Sequence, residues 1–329
     1  MDISQHIERL FEISTSEEFE ELALETFKFQ YENVPAYRQY ADLIHRNQPK
    51  ELAEIPFMPI DFFKFHEIRS RTRDVEEIFK SSGTTQKVRS VHYLENTQLY
   101  ERSFLAAYEK FVGAPENQII IALLPNYVEQ KFSSLVYMVN FLIKKTNNSL
   151  SDFYLYQPEN LKAVYQKAVE QGKQVVLFGV TYALLDLAEY GVELPGIKVI
   201  ETGGMKGRRK EISKAELHTI LKSKLKVETI YSEYGMCELL SQAYSEGLQF
   251  ETPAWMKILV RDKNDPFSYV GNEKSGGINV IDLMNLFSCS FIQTQDLGKI
   301  HADGHFEILG RIDNAAIRGC NLMVDELNP

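Results

Sequence analysis

The chain has 329 residues, 44% of them hydrophobic and 25% charged, a composition typical of a globular protein with an extensive core. Its formal net charge of −10, with no long basic run, argues against a nucleic-acid partner held by phosphate contacts. The sequence lacks an export signal and any run of ~18 apolar residues that would span a bilayer, and its three cysteines are widely spaced, so we expect a cytoplasmic protein without a membrane span.

The first 70 residues or so are predicted to be mainly helical. Ser14 and Thr15 are each followed three residues later by a glutamate, which gives two overlapping capping boxes at a helix start. A largely apolar stripe follows at helical spacing, formed by Phe19, Leu22, Ala23, Thr26, Phe27 and Gln30. The pair Val34-Pro35 should end this helix. The aromatic segment 55–65, twice interrupted by proline, is predicted to be a buried extended connector or the wall of an apolar pocket.

A polar loop follows a short strand predicted at residues 75–79. It contains four hydroxyl side chains and one glycine in succession, namely Ser81, Ser82, Gly83, Thr84 and Thr85. Hydroxyls and exposed backbone N–H groups donate hydrogen bonds, and a glycine lets the main chain curve closely around a ligand such as a polyphosphate. The loop does not fit the pattern G-x-x-x-x-G-K-[ST] of P-loop proteins. Taken alone, such a cluster is also typical of a surface turn.

Between residues 118 and 230 the pattern alternates between apolar strands and helices. The strands are predicted at 118–124, 174–178, 197–201 and 227–230, and the helices at 132–143, 161–169, 182–189 and 213–221. Near-continuous apolar strands separated by helices indicate a parallel sheet with helices on its faces. Ligands of such sheets bind beyond the carboxyl ends of the strands, where segments 201–204 and 231–238 are located.

After about residue 251 the pattern becomes that of β-hairpins. Strands are predicted at 280–283, 287–293, 297–301 and 305–309. The sequence Ala-Asp-Gly-His at 302–305 is predicted to be a tight turn between the last two.

Three further segments contain residue types that suit nucleotide chemistry. They are Tyr234-Gly235-Met236-Cys237-Glu238 between a predicted strand and a predicted helix, Thr294-Gln295-Asp296-Leu297-Gly298 at a strand end, and Gly310-Arg311-Ile312-Asp313 after the last hairpin. Each alone also fits a structural role: Glu238 as an acid at a helix start, Asp296 as a turn former, and Arg311 as half of a surface pair.

In this order, downstream of the polar loop, these segments resemble the motifs of the adenylate-forming superfamily of acyl-CoA synthetases and related ligases. The more detailed resemblance is to LuxE-like acyl-protein synthetases, rests on segments 56–64, 79–85, 202–208 and 318–322, and covers most of the chain. It implies an α/β fold, the adenylate-forming large domain, with two αβ subdomains containing parallel-rich sheets and a distorted β-barrel-like hairpin region. Most of the C-terminal lid domain would be lacking.

The resemblance also implies domain boundaries. The large domain would cover residues 1–310, with a helical part at 1–70, an α/β core at 71–250 and the hairpin region at 251–310. A hinge and a short tail would occupy residues 311–329.

ATP and Mg²⁺ are the ligands that the resemblance implies. The nucleotide would be held by Ser81, Ser82, Gly83, Thr84 and Thr85 at the phosphates, by Gly203, Gly204, Tyr234 and Gly235 at the adenine, and by Asp296 at the ribose. Glu238 would hold Mg²⁺, Arg311 would lie near the ribose or a phosphate, and Asp313 would mark the hinge. Cys237 departs from the superfamily, which has threonine at this position, and a thiol is the poorer donor to a phosphate.

The implied reaction converts a carboxylic acid, a fatty acid in this family, to acyl-AMP and then to a thioester on a cysteine. The acyl-acceptor partner would be a reductase or acyltransferase subunit. The predicted catalytic residues are Cys320, Glu238 and Arg311. Cys320 is the candidate nucleophile because it follows Gly319 in the tail and because Arg318 would favour its thiolate, although a buried cysteine is the alternative.

The remaining cysteine and histidine predictions are structural. Cys289 lies in an apolar strand and is predicted to be core. His301 and His305 flank the tight turn and are expected to be exposed, and His92 is expected on a strand surface.

Two other functions stay open at this point. One is a ligase resembling phenylacetate-CoA ligase, which would deliver an acyl or aryl group to CoA and would need a lid domain. The other is a non-catalytic nucleotide- or acyl-binding scaffold, suggested by Cys237 and by the short sequence after Asp313.

Overall fold

The structure is a computed structural model that describes residues 1–82, 88–125, 130–155, 158–203 and 212–312. The chain divides into two compact units. The first comprises Met1–Ile78, Ser90–Asn96 and the chain from Glu251 onward, and the second comprises Phe79–Arg89 and Thr97–Phe250. Within the described ranges, no helix is both long and apolar enough to cross a membrane.

The N-terminal part of the first unit is helical, as the sequence predicts. Its helices are α1 (Ile3–Phe11), α2 (Ser16–Asn33), α3 (Pro35–Leu43) and α4 (Phe62–Phe65), and its short strands are β1 (Met58–Pro59), β2 (Glu77–Lys80, which continues into the second unit) and β3 (Val91–Leu94). Thr15 and Glu18 form the predicted capping box, in which Glu18 N donates to Thr15 Oγ1 at 3.1 Å. Pro35 begins α3 at its first position, where a missing N–H breaks no helical hydrogen bond.

The second unit is built around a parallel sheet. Its strands are β4 (Gln118–Leu123), β5 (Asp152–Phe153), β6 (Gln174–Val180), β7 (Lys198–Thr202), β8 (Ile230–Tyr234), β9 (Ala243–Glu246) and β10 (Gln249–Glu251), and its helices are α5 (Thr97–Phe111), α6 (Ser134–Thr146), α7 (Pro158–Glu170), α8 (Thr181–Tyr190) and α9 (Lys214–Leu225). Strands β5, β4, β6, β7 and β8 are parallel neighbours in this order, and β9 pairs antiparallel with β8. These pairings confirm the predicted parallel sheet. Every residue of β4 is buried because helices pack on the sheet.

The C-terminal part of the first unit consists of antiparallel strands. They are β11 (Met256–Arg261), β12 (Gly276–Asp282), β13 (Phe291–Ile300) and β14 (Phe306–Arg311), each paired with the next, and β1 runs parallel to β13. The predicted tight turn is confirmed, with His301 N donating to His305 O at 2.8 Å.

The hairpin strands differ from the prediction in two places, one an omission and one a wrong prediction. Strand β11 was not predicted, and most of the two strands expected at 287–293 and 297–301 is the single strand β13. Its pairing with β14 shifts register between Leu297 and Gly298, so the irregularity that breaks the apolar pattern is a bulge inside one strand.

The core of the first unit joins its helices to these strands. Phe27 and Tyr37 pack on Phe291, with ring centroids 6.4 and 6.1 Å away, respectively. The fully buried Gln30 donates from Nε2 to Asn285 O at 3.0 Å and accepts at Oε1 from Ser290 N at 3.0 Å. The predicted stripe of α2 therefore faces the hairpin strands, and its one amide satisfies the backbone there.

Candidate active site

The carboxyl ends of β6, β7 and β8 place five polar residues next to one another. Thr181 directly follows β6, Glu201 and Thr202 end β7, and Ser232 and Glu233 belong to β8. In the parallel register, Glu201 is opposite Ser232 and Thr202 is opposite Glu233. All five residues are at most 8% exposed. This is the edge at which parallel α/β sheets bind their ligands, as expected from the sequence.

Glu201 is the centre of a buried hydrogen-bond network. Its Oε2 accepts from Thr181 Oγ1 at 3.0 Å, and its Oε1 accepts from Ser232 Oγ at 2.7 Å. Lys214, the first residue of α9, forms an ion pair with the same carboxylate. His218 Nε2 lies 3.3 Å from Ser232 Oγ, and burial lowers the pKa of His218 to about 4. The network therefore contains a neutral imidazole at pH 7 and joins α9 to β7 and β8.

Gly203 turns the chain at the end of β7. Its φ of +69° lies in the left-handed region that glycine adopts without strain. Thr181 Oγ1 lies within hydrogen-bonding distance of Gly203 O as well as of Glu201. Thr181, which follows β6, therefore holds the backbone at Gly203, a predicted adenine-binding position. Gly204 lies outside the described residues.

Glu233 packs against Gly235, directly beside the predicted adenine-binding Tyr234. A Cβ atom at Gly235 would lie under 3.0 Å from Glu233 Oε1, so a side chain there would require the Glu233 carboxyl or the backbone to move. Thr202 donates a hydrogen bond to Glu233 Oε2, and no cation of the described residues lies within 4.0 Å of this carboxyl. Burial raises the pKa of Glu233 to about 7, against the opposing effect of the Thr202 hydrogen bond. Sequence reasoning missed Glu233, although its place directly before Tyr234-Gly235 was a usable signal.

The segment after β8 differs from its prediction. Strand β8 ends at Tyr234, four residues beyond the end predicted at 230, and the half-buried Tyr234 ring meets Phe250 edge-on with centroids 6.0 Å apart. Cys237 and Glu238 lie in a turn instead of preceding a helix, and the next element is β9. Because residues 237–243 are all buried, the chain passes through the interior, where an amphipathic helix would have left one face polar. Glu238, the predicted Mg²⁺ ligand, is 5% exposed.

Only the beginning of the predicted phosphate loop is described. Ser81 and Ser82 follow β2 and are half-buried and exposed, respectively. Gly83, Thr84 and Thr85 lie outside the described residues.

In the first unit, Asp296 and Arg311 are direct partners in the register of β13 and β14. Arg311 Nε lies 3.9 Å from Asp296 Oδ1, and Arg311 Nη2 donates to Gln295 Oε1 at 3.2 Å. Gln295 Nε2 donates in turn to Asp61 Oδ2 at 2.8 Å. Gln295 and Asp61 were not selected as site residues from the sequence, because a sequence separation of 234 leaves no local pattern.

The cysteines and histidines are placed as follows. Cys289 is fully buried, as predicted, and burial raises the pKa of its thiol to about 12. His92 is 1% exposed and packs edge-on against Phe63 at 5.6 Å, so its predicted surface position is wrong. His301 and His305 are half-buried, less exposed than predicted. Cys320 and Asp313 lie outside the described residues.

The described part of the chain contains no group of three or more His, Cys, Asp or Glu side chains arranged to hold a metal ion.

Comparisons with known proteins give one family and one fold. The sequence model of the family described as acyl-protein synthetase, LuxE, matches residues 8–327, and no curated protein matches the chain. ATP-bound MatB from Rhodopseudomonas palustris is 18% identical with a TM-score of 0.55, and the match covers 74% of this chain and 49% of that one. An open conformation of 2-hydroxyisobutyryl-CoA ligase in complex with 2-HIB-AMP and CoA is 11% identical with a TM-score of 0.68, covering 92% and 71%.

A third solved structure is O-succinylbenzoate coenzyme A synthetase (MenE) from Bacillus subtilis in complex with AMP. It is 15% identical with a TM-score of 0.50, and the match covers 73% of this chain and 50% of that one. The chain thus spans about half the length of MatB and MenE. At these identities the similarity concerns the fold, and it confirms the predicted α/β fold of adenylate-forming ligases.

Proposed function

Because the chain belongs to the LuxE family of acyl-protein synthetases, we propose that it activates a carboxylic acid with ATP and transfers the acyl group to a cysteine thiol. A fatty acid is the proposed substrate. The thioester is then delivered to an acyl-acceptor protein such as a reductase or acyltransferase subunit.

The observation that supports the proposal best is the shape of the backbone at the ends of β7 and β8. Gly203 has a left-handed φ, and Gly235 has no room for a Cβ atom beside Glu233. The left-handed turn at Gly203 and the aromatic ring of Tyr234 at the end of the adjacent strand suit an adenine lying against the Gly203 backbone with Tyr234 on its other face.

The other nucleotide contacts follow the family pattern. Ser81, Ser82, Gly83, Thr84 and Thr85 are assigned to the β- and γ-phosphates, and Gly204 joins Gly203 at the adenine. Asp296 is assigned to the ribose hydroxyls, because a carboxylate accepts from two donors at once. Arg311 is assigned to the ribose or the α-phosphate.

Mg²⁺ is assigned to Glu238 as its protein ligand. A buried carboxylate in a turn that ends a strand fits this ion, which prefers hard oxygen ligands. When bound, Mg²⁺ would neutralise charge on the phosphates.

In the first step, an oxygen of the substrate carboxylate attacks the α-phosphorus of ATP, and the bond to pyrophosphate breaks. Positioning and electrostatic stabilisation contribute most of such a rate enhancement, which is why a rigid strand edge matters. In the second step, a thiolate attacks the acyl carbon, AMP leaves, and the thiol proton passes to solvent. Cys320 is the proposed nucleophile.

The test of the first step is the exchange of labelled pyrophosphate into ATP. We expect exchange that depends on both protein and carboxylic acid, with fatty acids compared against aromatic acids. A non-catalytic scaffold would give no exchange with any acid, and that outcome would refute the proposal.

The second step is tested with radiolabelled fatty acid. In the presence of ATP, the protein should acquire hydroxylamine-sensitive label, and Cys320→Ser should abolish the label while leaving pyrophosphate exchange unchanged. Label that persists in Cys320→Ser would show that a different thiol is acylated.

A second candidate function is acyl transfer to CoA. It is favoured by the match to 2-hydroxyisobutyryl-CoA ligase, which covers 92% of this chain. CoA-dependent release of AMP by the isolated protein, faster than acylation of the protein itself, would support this function over the first.

A further inference from the structure

A cavity in the first unit adjoins the contacts of Arg311, because Gln295 belongs to its lining, but the proposed function assigns it no ligand. It has a volume of about 340 Å³, and its lining includes Asp61, Arg261, Asp262, Lys263 and Gln295. This volume is at the lower end of the range for small-molecule sites.

Arg261, at the end of β11, is the unusual member of the lining because it is only 4% exposed. Its guanidinium donates from Nη1 to Ile278 O and Asn279 Oδ1, and from Nη2 to Thr294 O, each at 2.8 Å. All three acceptors are neutral. No carboxylate of the described residues lies within 4.0 Å of this guanidinium. A buried charge without an ion-pair partner is costly, and burial lowers the pKa of Arg261 against the opposing effects of Tyr269 and Asp296.

The position of the guanidinium depends on a glycine. A Cβ atom at Gly277 would lie under 3.0 Å from Arg261 Nη1 and Nη2. Strand β12 therefore leaves space for this buried guanidinium. A guanidinium has five N–H donors, and the described residues supply it with three acceptors.

The acidic groups of the lining already have partners. Asp61 accepts from Lys64 Nζ at 2.5 Å and from Gln295 Nε2 at 2.8 Å. Asp262 Oδ1 accepts from the backbone N–H groups of Asn264 and Asp265 at 2.7 and 3.2 Å. Lys263 is exposed, and no carboxylate of the described residues lies within 4.0 Å of it. Neither cation of the cavity thus forms an ion pair with a carboxylate of the described residues, and Asp296 acts on Arg261 only from beyond 4.0 Å.

We propose that this cavity binds a small anion, a phosphate or a carboxylate, between Arg261 and Lys263. Planar guanidinium groups bind both kinds of anion through paired hydrogen bonds, and a lysine adds a mobile point charge. The proposal does not require the proposed acyl activation, although Gln295 of the lining also accepts a hydrogen bond from Arg311.

The test is thermal unfolding of the full chain at pH 7 in increasing sodium phosphate and, separately, sodium acetate, with sodium chloride keeping the ionic strength constant. We expect a saturable rise of the melting temperature, about 3 °C when the anion exceeds its Kd tenfold. The two series show which anion is preferred. No saturable rise with either anion would overturn the proposal.

The matched variants are Lys263→Glu and Lys274→Glu, which change the charge of two exposed lysines of the first unit by the same amount. Lys263→Glu should lose the saturable rise, and Lys274→Glu should keep it. Equal behaviour of the two variants would mean that the anion acts at another site, including the nucleotide site, or through the general stabilisation that phosphate gives to proteins. Arg261→Met should also lose the rise, and if this variant does not fold, the lysine pair decides.

Discussion

The two units place their candidate site residues in opposite kinds of surroundings. In the second unit, Glu201 and Glu233 are buried and hydrogen-bonded at the ends of parallel strands. In the first unit, the side chains of Asp296 and Arg311 are 18% and 60% exposed and lie 3.9 Å apart. Buried polar groups have strong energetic effects because the surrounding dielectric is low, whereas exposed ion pairs contribute little. The strand edge of the second unit is therefore held in place by buried hydrogen bonds, whereas the exposed Arg311 side chain can change its contacts when a ligand binds.

The largest effect on activity is expected at Gly235, where the end of β8 has little space for an added methyl group. In Gly235→Ala, the added methyl group meets Glu233 Oε1, so either the carboxyl or the Tyr234-Gly235 backbone must move. Because a displacement of about 1 Å can reduce catalysis about 100-fold, pyrophosphate exchange should fall by about that factor. Gly271→Ala is the control, since nothing lies within 4 Å of the Cβ position there. Equal activity of the two variants would show that the strand end is adaptable.

The second prediction concerns the ion pair of the buried network. Lys214→Met removes the cation next to Glu201 and leaves a carboxylate that is only 2% exposed. Breaking a buried pair typically costs 3–5 kcal/mol, and the partial exposure of Lys214 reduces our expectation to about 2 kcal/mol of unfolding free energy in urea. Lys222→Met, an exposed lysine on the same helix, should change it by less than about 0.5 kcal/mol. Similar losses of unfolding free energy in both variants would mean that methionine destabilises helix α9 at either position, and not that the Lys214–Glu201 ion pair is stabilising.

The third prediction uses the pH dependence of Glu233. Its pKa is about 7 in the folded protein against 4.5 ordinarily, so between these values only the folded state holds the proton. Wild-type stability should therefore fall as the pH rises from 5 to 8, by about 2.5 kcal/mol from this group. Glu233→Gln, which is always neutral, should lose that fall.

The measurement is the difference in unfolding free energy between wild type and Glu233→Gln at pH 5 and at pH 8. Glu201 and Lys214 are the charged groups that act on Glu233, and both remain in the variant. His218, whose lowered pKa of about 4 acts in the opposite direction, also remains and cancels in the difference. A difference that does not change with pH would show that Glu233 is ionised in the folded protein at both values.

The sequence predicted the elements of this fold better than their contacts. The capping box of Thr15 and Glu18 and the apolar strands β4 and β6 are local patterns, and the structure confirms them. Apolar runs separated by helices were enough to predict a parallel sheet, because few other arrangements bury such strands on both faces.

The partners within the candidate site have no such local signal. Thr181, Glu201 and Ser232 lie together because β6, β7 and β8 pair in parallel with their carboxyl ends at the same edge. About 50 residues of sequence separate Thr181 from Ser232. The same limitation explains the helix wrongly expected after Glu238, where burial on all sides, and not periodicity, determines the path of the chain. The motif positions Tyr234, Gly235, Asp296 and Arg311 were found from the family resemblance, and their roles stay predictions.

The smallest effect on stability is expected at the exposed pair of the first unit. Arg311→Gln should change the unfolding free energy by less than about 0.5 kcal/mol, because a half-exposed ion pair at 3.9 Å is weak. Arg71→Gln is the matched control, since Arg71 is 55% exposed and lies 3.5 Å from Glu67 in the same unit. In the exchange assay, only Arg311→Gln should raise the KM for ATP, by about tenfold, as expected for the loss of one charged hydrogen bond to the nucleotide. An unchanged KM would remove Arg311 from the nucleotide site and leave it as a surface partner of Gln295 and Asp296.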